Sequence, residues 1–350
     1  MGVTGPGAAP GTAVRAGVLE EYGAAPVIRS QAVPPTPPGH TLIRTLAAPI
    51  SPLDVFCATG RAYFGPPALP YIPGVQGVGA VVDRAGDTGS MVWFRTWAGM
   101  TPGDGALREL VAVPDEDVFP LAHDVDPESF AALGLSAVAA LMAMTWTGEL
   151  VAGESVLVLG GGGVVGQSAI QLAQARGVKR VVALCRSDRG VAAARSRGAD
   201  CVQVRDGECP ADLAARILEV SDDPFDLVLD TLWGEPATAA MSCLRPRGRL
   251  VNIGGTAGDQ AVLASSVIRG GARQIRGYSN NDLSRQQLLA ALDEIGELAA
   301  AGRLDVGFDR VPLGRLPEAW SAQASGSASA RQVVTFGSFP ARPDPGAPPD

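Results

Sequence analysis

Residues Gly160-Gly-Gly-Gly-Val-Val-Gly166 contain the pattern Gly161-x-Gly163-x-x-Gly166. Such a turn suits a ligand that carries a diphosphate. Gly161 permits the tight turn, Gly163 lets the backbone approach the pyrophosphate, and Gly166 lets the following helix pack close on the strand. A helix starting at Val164 leaves the N–H groups of Val164, Val165 and Gly166 without carbonyls one turn back. They then offer donors and a partial positive charge to phosphate oxygens. In a chain with 44 glycines the pattern alone says little. It gains meaning from the apolar run Ser155-Val-Leu-Val-Leu159 directly before it and the apolar-periodic segment 164–176 after it. The other reading of these residues is a helix–sheet packing turn without a ligand.

A strand at 180–184 follows, and its end selects the dinucleotide. An Asp or Glu there would hold a ribose 2′-hydroxyl and favour NAD. The chain has Cys185, then Arg186, Ser187, Asp188 and Arg189. Guanidinium groups grip phosphate bidentately, so Arg186, Ser187 and Arg189 point to NADPH. In the competing reading the arginines are a solvated helix start. Asp188 lies past the strand end and reads as the cap of the next helix. Ile253 and Gly254 close a later strand that begins at Arg249, and they border the nicotinamide if the sheet is parallel, because open α/β sheets bind ligands at the carboxyl ends of their strands.

Other chemistry is poorly supplied. The two histidines are His40, in a Pro-Gly loop, and His123, in an acidic turn, and both read as surface residues. The five cysteines, at 57, 185, 201, 209 and 243, form no Cys-x-x-Cys pair. Neither a disulfide framework nor a Cys-based zinc site is expected, and the thiols read as reduced and cytoplasmic. Cys57 has no basic partner in sequence, which argues against a nucleophile. A net charge of −8 gives no footprint for DNA or anionic lipid, and no run approaches the length of a bilayer span. Nucleic acid and membrane are therefore not expected partners. The first residues lack the basic start and apolar centre of a signal peptide, in keeping with a cytoplasmic chain.

The elements that must hold these residues fall into two groups. A length of 350 residues predicts about two domains. Residues 1–12 and the Pro-rich 338–350 read as a disordered arm and tail. From 13 to 134, short apolar runs broken by Pro and Gly predict a β-rich domain, and a helix is expected over 127–147. Residues 135–272 alternate apolar strands (155–159, 180–184, 201–204, 226–230, 249–253) with helices, which means a parallel sheet covered on both faces. Residues 273–337, with a helix at 284–301 and strands near 309–313 and 331–336, are expected to return to the first domain, being too few for a core of their own.

In order along 13–337, the segments Ala13-Val-Arg-Ala-Gly-Val, Ile50-Ser-Pro-Leu-Asp54, Leu69-Pro-Tyr-Ile-Pro-Gly-Val-Gln-Gly-Val-Gly, Val156-Leu-Val-Leu-Gly, Phe225-Asp-Leu-Val-Leu-Asp230, Gly248-Arg-Leu-Val-Asn-Ile-Gly254 and Arg331-Gln-Val-Val resemble the medium-chain dehydrogenase/reductase superfamily, in its zinc-independent quinone oxidoreductase and enoyl reductase branch. The resemblance implies an α/β chain with a GroES-like β-rich catalytic domain (13–134 and 273–337) and a doubly wound Rossmann NADP-binding domain (135–272). It also implies hydride transfer from NADPH to an electrophilic carbon, and a homodimer. Zinc-dependent relatives carry a Cys after the first β segment and a Gly-His-Glu motif. This chain has Ser51-Pro-Leu-Asp54 and Gly74-Val75-Gln76 there, so no metal is expected.

Related enoyl reductases use a loop tyrosine as acid; Tyr63 stands close to that place, and Tyr71 is the other option. A phenol can protonate an enolate carbon or hold its oxygen. Quinone oxidoreductases often have a tyrosine where this chain has Phe56. Ser51 and Asp54 flank the active site in the family, and Asp54 also reads as a helix cap. Ser136 matches a family threonine that meets the nicotinamide side. The expected activity is therefore NADPH-dependent reduction of a small quinone or α,β-unsaturated carbonyl. The alternatives are a zinc-free ketone reductase or alcohol dehydrogenase on the same scaffold, or a non-catalytic NADPH-binding sensor.

Overall fold

The computed structural model describes residues 13–82 and 88–337 and divides them into two units, one of residues 13–121, 126–132 and 307–337, the other of 122–125 and 133–306. The expected N-terminal arm and Pro-rich tail lie outside the described residues.

The first unit opens with a hairpin of β1 (Ala13–Val18) and β2 (Val27–Ala32). After it come β3 (His40–Pro49), the short α1 (Pro52–Ala58), β4 (Gln76–Val82), β5 (Thr88–Arg95), β6 (Leu110–Pro114) and β7 (Val118–Pro120). The chain leaves this unit within α2 (Pro127–Met142), which breaks at Gly134 (φ 33°) and runs on as a π-helical turn to Thr147. By length and mean hydropathy (1.6), 127–147 could cross a bilayer, but 67 % of its most apolar window is buried inside the protein. It is a core helix.

The second unit is a chain of strand–helix steps. These are β8 (Ser155–Leu159), α3 (Val164–Ala175), β9 (Arg180–Cys185), α4 (Asp188–Ser196), β10 (Asp200–Gln203), α5 (Pro210–Ser221), β11 (Phe225–Asp230), α6 (Gly234–Cys243), β12 (Leu244–Asn252), α7 (Ser265–Gly271), β13 (Gln274–Gly277) and α8 (Arg285–Ala300). The strands pair in parallel in the order β10-β9-β8-β11-β12-β13. The chain reverses its direction of travel across the sheet between β8 and β11. At such a switch point the flanking loops part and leave a crevice at the strands' carboxyl ends. Strands β8 and β11 are buried at every residue, as strands covered on both faces must be. Leu157, Val182, Leu184, Phe225, Val228 and Leu250 belong to one core cluster.

The last elements, β14 (Phe308–Pro312), α9 (Leu316–Ser325) and β15 (Arg331–Thr335), complete the first unit: β15 pairs antiparallel with β3, and β14 pairs in parallel with β15. The sheet runs β14-β15-β3-β4-β5-β7, with β6 also on β3. The return to the first unit begins at 307, not at the expected 273. Residues 273–306 stay with the parallel sheet because β13 extends it beside β12, while Glu294 of α8 pairs with Arg176 at 2.6 Å and Asp305 with Arg197 at 2.7 Å.

Candidate functional site

In the second unit, Gly160 leaves β8 with φ +82°, and its N–H and that of Gly161 both donate to Leu184 O at 3.0 Å. The tight turn therefore falls on Gly160, whereas Gly161 had been expected to make it. Gly161 is needed for room instead, since a Cβ there would stand 2.5 Å from the Ala183 Cβ. A Cβ at Gly162 would meet Gly190 Cα at 2.5 Å, and one at Gly166 would meet Gly160 O at 2.3 Å. Gly163 differs: its Cβ would touch only Gly160 O, at 3.5 Å. The fold demands glycine at 161, 162 and 166 but leaves open space at 163, where a diphosphate would approach.

Gly163 is the N-cap of α3 and supplies no side-chain cap, and the first turn holds no acidic residue. The N–H groups of Val164, Val165 and Gly166 thus face outward from a positive helix end with no carboxylate of that turn beside them. Gln167 Nε2 donates to Gly162 O at 2.9 Å and braces the turn. The residues present fit a diphosphate.

At the end of β9, Cys185 is buried, and burial pushes its thiol up to about 11; Cys201's charge adds to this and the Gly162 N–H opposes it. The place of the ribose carboxylate is held by a neutral thiol. Arg186, Ser187, Asp188 and Arg189 are exposed around the start of α4. Ser187 has the extended geometry of an N-cap (φ −118°, ψ 155°), and its Oγ accepts from Gly190 N at 3.2 Å. The expected cap, Asp188, is already the first helical residue, and its Oδ1 accepts from Gln203 Nε2 at 3.0 Å.

Ile253 and Gly254 follow β12 and lie beside the loop after β11. Asp230 is fully buried; burial raises its pKa, against the pull of the Trp233 and Leu232 N–H groups and the Asn252 amide. Asn252 Nδ2 also donates to Gly254 O at 2.9 Å, and Ile253 N donates to Asp230 O at 2.7 Å. Thr231 Oγ1 donates to Leu159 O at 2.9 Å and would lie 2.4 Å from a Cβ on Gly160. These bonds bring the glycine turn and Ile253–Gly254 together. Ser136 sits just past the break in α2. There Leu135 O accepts from Asn280 Nδ2 at 3.1 Å, and Tyr278 Oη donates to Asn280 Oδ1 at 2.6 Å. Sequence reasoning missed Gln167, Asp230, Asn252, Tyr278 and Asn280. The polar residues that end apolar strands, Asp230 and Asn252, were the one readable sign.

In the first unit, Ser51 and Asp54 form a capping box on α1. Ser51 N and Oγ donate to Asp54 Oδ2 at 2.8 and 2.5 Å, and Asp54 N donates to Ser51 Oγ at 3.1 Å. Asp54 Oδ1 accepts from Gly74 N and Val75 N at 3.1 and 2.8 Å. Both residues are buried, with their hydrogen-bonding groups turned onto the chain. Burial raises the Asp54 pKa, and its four donors pull the other way. Arg331, also buried, is pushed down to about 10 by burial, opposed by the Asp54 charge. The pair's geometry is that of a brace between α1 and the 74–75 turn.

Tyr63 is 80 % exposed and lies against Phe64, ring centroids 4.0 Å apart. Tyr71 is buried; its hydroxyl has no hydrogen-bond partner among the described residues, and burial raises its pKa well above the usual phenol range. Cys57 is buried, and burial with the Asp54 charge pushes its thiol up to about 12, which makes it a poor nucleophile. Among the described residues no group of three or more His, Cys, Asp or Glu side chains is placed to share a metal ion.

The profile of a family described as zinc-binding dehydrogenase matches residues 164–297. Mouse quinone oxidoreductase is 30 % identical over 239 residues, which cover 67 % of this chain and 71 % of that protein. The chain belongs to the medium-chain dehydrogenase/reductase superfamily, in its quinone oxidoreductase branch. Bovine mitochondrial enoyl-[acyl-carrier-protein] reductase is 26 % identical over 307 residues, covering 85 % of this chain and 81 % of the relative. The structure of a mycobacterial quinone oxidoreductase superposes with a TM-score of 0.80 at 22 % identity, over 92 % of this chain and all (100 %) of the other.

As a medium-chain dehydrogenase/reductase, the chain is an oxidoreductase with a GroES-like and a Rossmann domain, and its family implies a nicotinamide cofactor and a small-molecule substrate. Val164, Val165, Gly166 and the open Gly163 are the residues that would hold the cofactor's diphosphate.

Proposed function

We propose that this chain is an NADPH-dependent, zinc-independent reductase of quinones or α,β-unsaturated carbonyls. The observation that carries the reading is the end of β9. Beside a diphosphate-ready turn, the ribose carboxylate is replaced by the neutral, buried Cys185, and two arginines follow at once. The bound nicotinamide supplies a hydride. The chain's own groups bind, orient and donate a proton. The first-turn amides of α3 hold the diphosphate. Arg186, Ser187 and Arg189 take the 2′-phosphate; the Ser187 hydroxyl, already accepting from Gly190, still has a proton to donate. Ser136, Ile253 and Gly254 border the nicotinamide end. Tyr63 donates the proton, and Ser51 and Asp54 brace the segment before it.

What supports zinc independence is the chemistry at the places where zinc-dependent relatives carry their ligands: this chain has Ser51-Pro-Leu-Asp54 and Gly74-Val75-Gln76, with neither thiolate nor imidazole. The quinone and enoyl acceptors are those for which the two relatives are named. A homodimer fits the outer edge of β13, which pairs with no second strand among the described residues and where Ile275 is exposed, because an open strand edge invites pairing. Five unpaired thiols suit a cytoplasmic setting. NADPH and NADH oxidation against a panel of quinones and enones tests the reading. Turnover with NADPH that Arg186→Ala makes indifferent to the 2′-phosphate supports it. Binding without turnover on any acceptor overturns the activity, and an Arg186→Ala chain with unaltered preference overturns the phosphate assignment.

A further inference from the structure

We propose that Gln203 sets the cofactor preference by pinning the carboxylate of Asp188. The inference rests on the NADPH reading and extends it to a residue on a different strand. Asp188 is the only carboxylate within 186–189, three residues beyond the end of β9. Swung toward a bound ribose, it would accept from a 2′-hydroxyl and repel a 2′-phosphate. It is turned toward β10 instead, where Gln203 Nε2 donates to its Oδ1 at 3.0 Å.

Gln203 is well placed for this. It stands opposite Cys185 in the β9–β10 register, level with the strand end that faces the ribose. The same Nε2 lies 3.4 Å from Arg186 O. Both neighbours are acceptors, so the amide must present its nitrogen to them. The Gln203 backbone is anchored in turn: its main-chain carbonyl accepts from Arg216 Nη2 at 2.9 Å, and Arg216 Nη1 is held by both oxygens of Glu208, at 2.6 and 2.8 Å. Asp188, Arg195, Gln203 and Arg216 line one cavity of about 400 Å³. Two guanidinium groups therefore share the side to which the carboxylate is drawn. With Asp188 held there, its own charge is kept away from a 2′-phosphate that approaches Arg186 and Arg189.

The test uses the full chain and its Gln203→Leu, Gln203→Ala, Asp188→Asn and Gln203→Leu/Asp188→Asn variants, with thermal melts as a check of folding. Calorimetry gives dissociation constants for NADPH and NADH, and for 2′,5′-ADP and 5′-AMP as probes of the adenosine end alone. Freeing Asp188 brings like charges to roughly 4 Å, so Gln203→Leu and Gln203→Ala should lose about fivefold of the preference for the phosphorylated partner of each pair. Asp188→Asn alone, and the double variant, should stay within about twofold of the parent ratio. Unchanged preference in folded Gln203→Leu and Gln203→Ala overturns the proposal, as does a double variant that keeps the loss of the single one. A parent chain that binds NADH as tightly as NADPH overturns the cofactor reading itself, and this inference with it.

Discussion

Alanine at Gly163 separates what the fold needs from what a bound diphosphate needs. Gly163 has φ −79° and ψ 167°, which any residue adopts, and a Cβ there meets only Gly160 O at 3.5 Å. Losing glycine as a cap costs roughly 0.5–1 kcal/mol, and the stiffer unfolded chain returns about as much. The melting temperature of Gly163→Ala should stay within about 3 °C of the parent. Gly166→Ala is the control. Its Cβ would lie 2.3 Å from Gly160 O and 2.6 Å from Gly161 Cα, both backbone atoms that cannot swing aside. Overpacking of that kind costs roughly 1–3 kcal/mol, a fall of about 2–12 °C at about 2–4 °C per kcal/mol. Binding should move the other way. A methyl at 163 occupies the approach of the diphosphate and breaks at least one hydrogen bond to charge, worth roughly 1.5–3 kcal/mol, which raises the NADPH dissociation constant about 10- to 100-fold. Scanning calorimetry gives the first quantity and titration calorimetry the second. Unchanged affinity in a stable Gly163→Ala would refute the reasoning, and so would a loss of stability as large as that of Gly166→Ala.

Asp54→Ala strips the acceptor from four buried donors and leaves Arg331 buried beside an uncharged site, so urea unfolding should show a loss of roughly 3–5 kcal/mol. Burial alone would raise the Glu154 pKa, but the Arg249 hydrogen bonds, at 2.7 Å each, and the Val151 N–H hold it below 4.5. A carboxylate lowered in the folded state stabilises fully above pH 4.5, and the gain is lost as the pH falls through the folded-state value. Acid titration of stability should therefore steepen below that pH, and Glu154→Gln should flatten the limb; equal slopes in both chains count against it. Tyr63→Phe should cut turnover by roughly 10²- to 10⁴-fold at unchanged NADPH affinity, since the ring is largely exposed. Full turnover in that variant removes Tyr63 as the proton donor.

The parts legible in the sequence were those whose physics is local. The runs that became β8 and β11 are buried on both faces, and continuous apolar stretches between glycine-rich turns announce that. The glycine turn was legible as a motif, yet the division of labour within it was not, because the contacts of Gly161 and Gly162 come from Ala183 and Gly190. Strand β13 escaped because three of the four residues of an edge strand are exposed here, so the sequence carries no apolar alternation. That omission moved the domain boundary from 307 to 273. Asp54 read as a helix cap, and it caps α1 as the N3 partner of the N-cap Ser51, but its hold on the N–H groups of Gly74 and Val75 spans some twenty residues and becomes visible only once the chain is folded. The same is true of Gln203, which reaches from the end of β10 to Asp188 at the start of α4.

Titrating NADPH into the purified, folded chain by calorimetry tests the central claim most directly. One equivalent should be taken up per chain, with a smaller dissociation constant than NADH gives under the same buffer. Absence of uptake, or tighter binding of NADH, contradicts it.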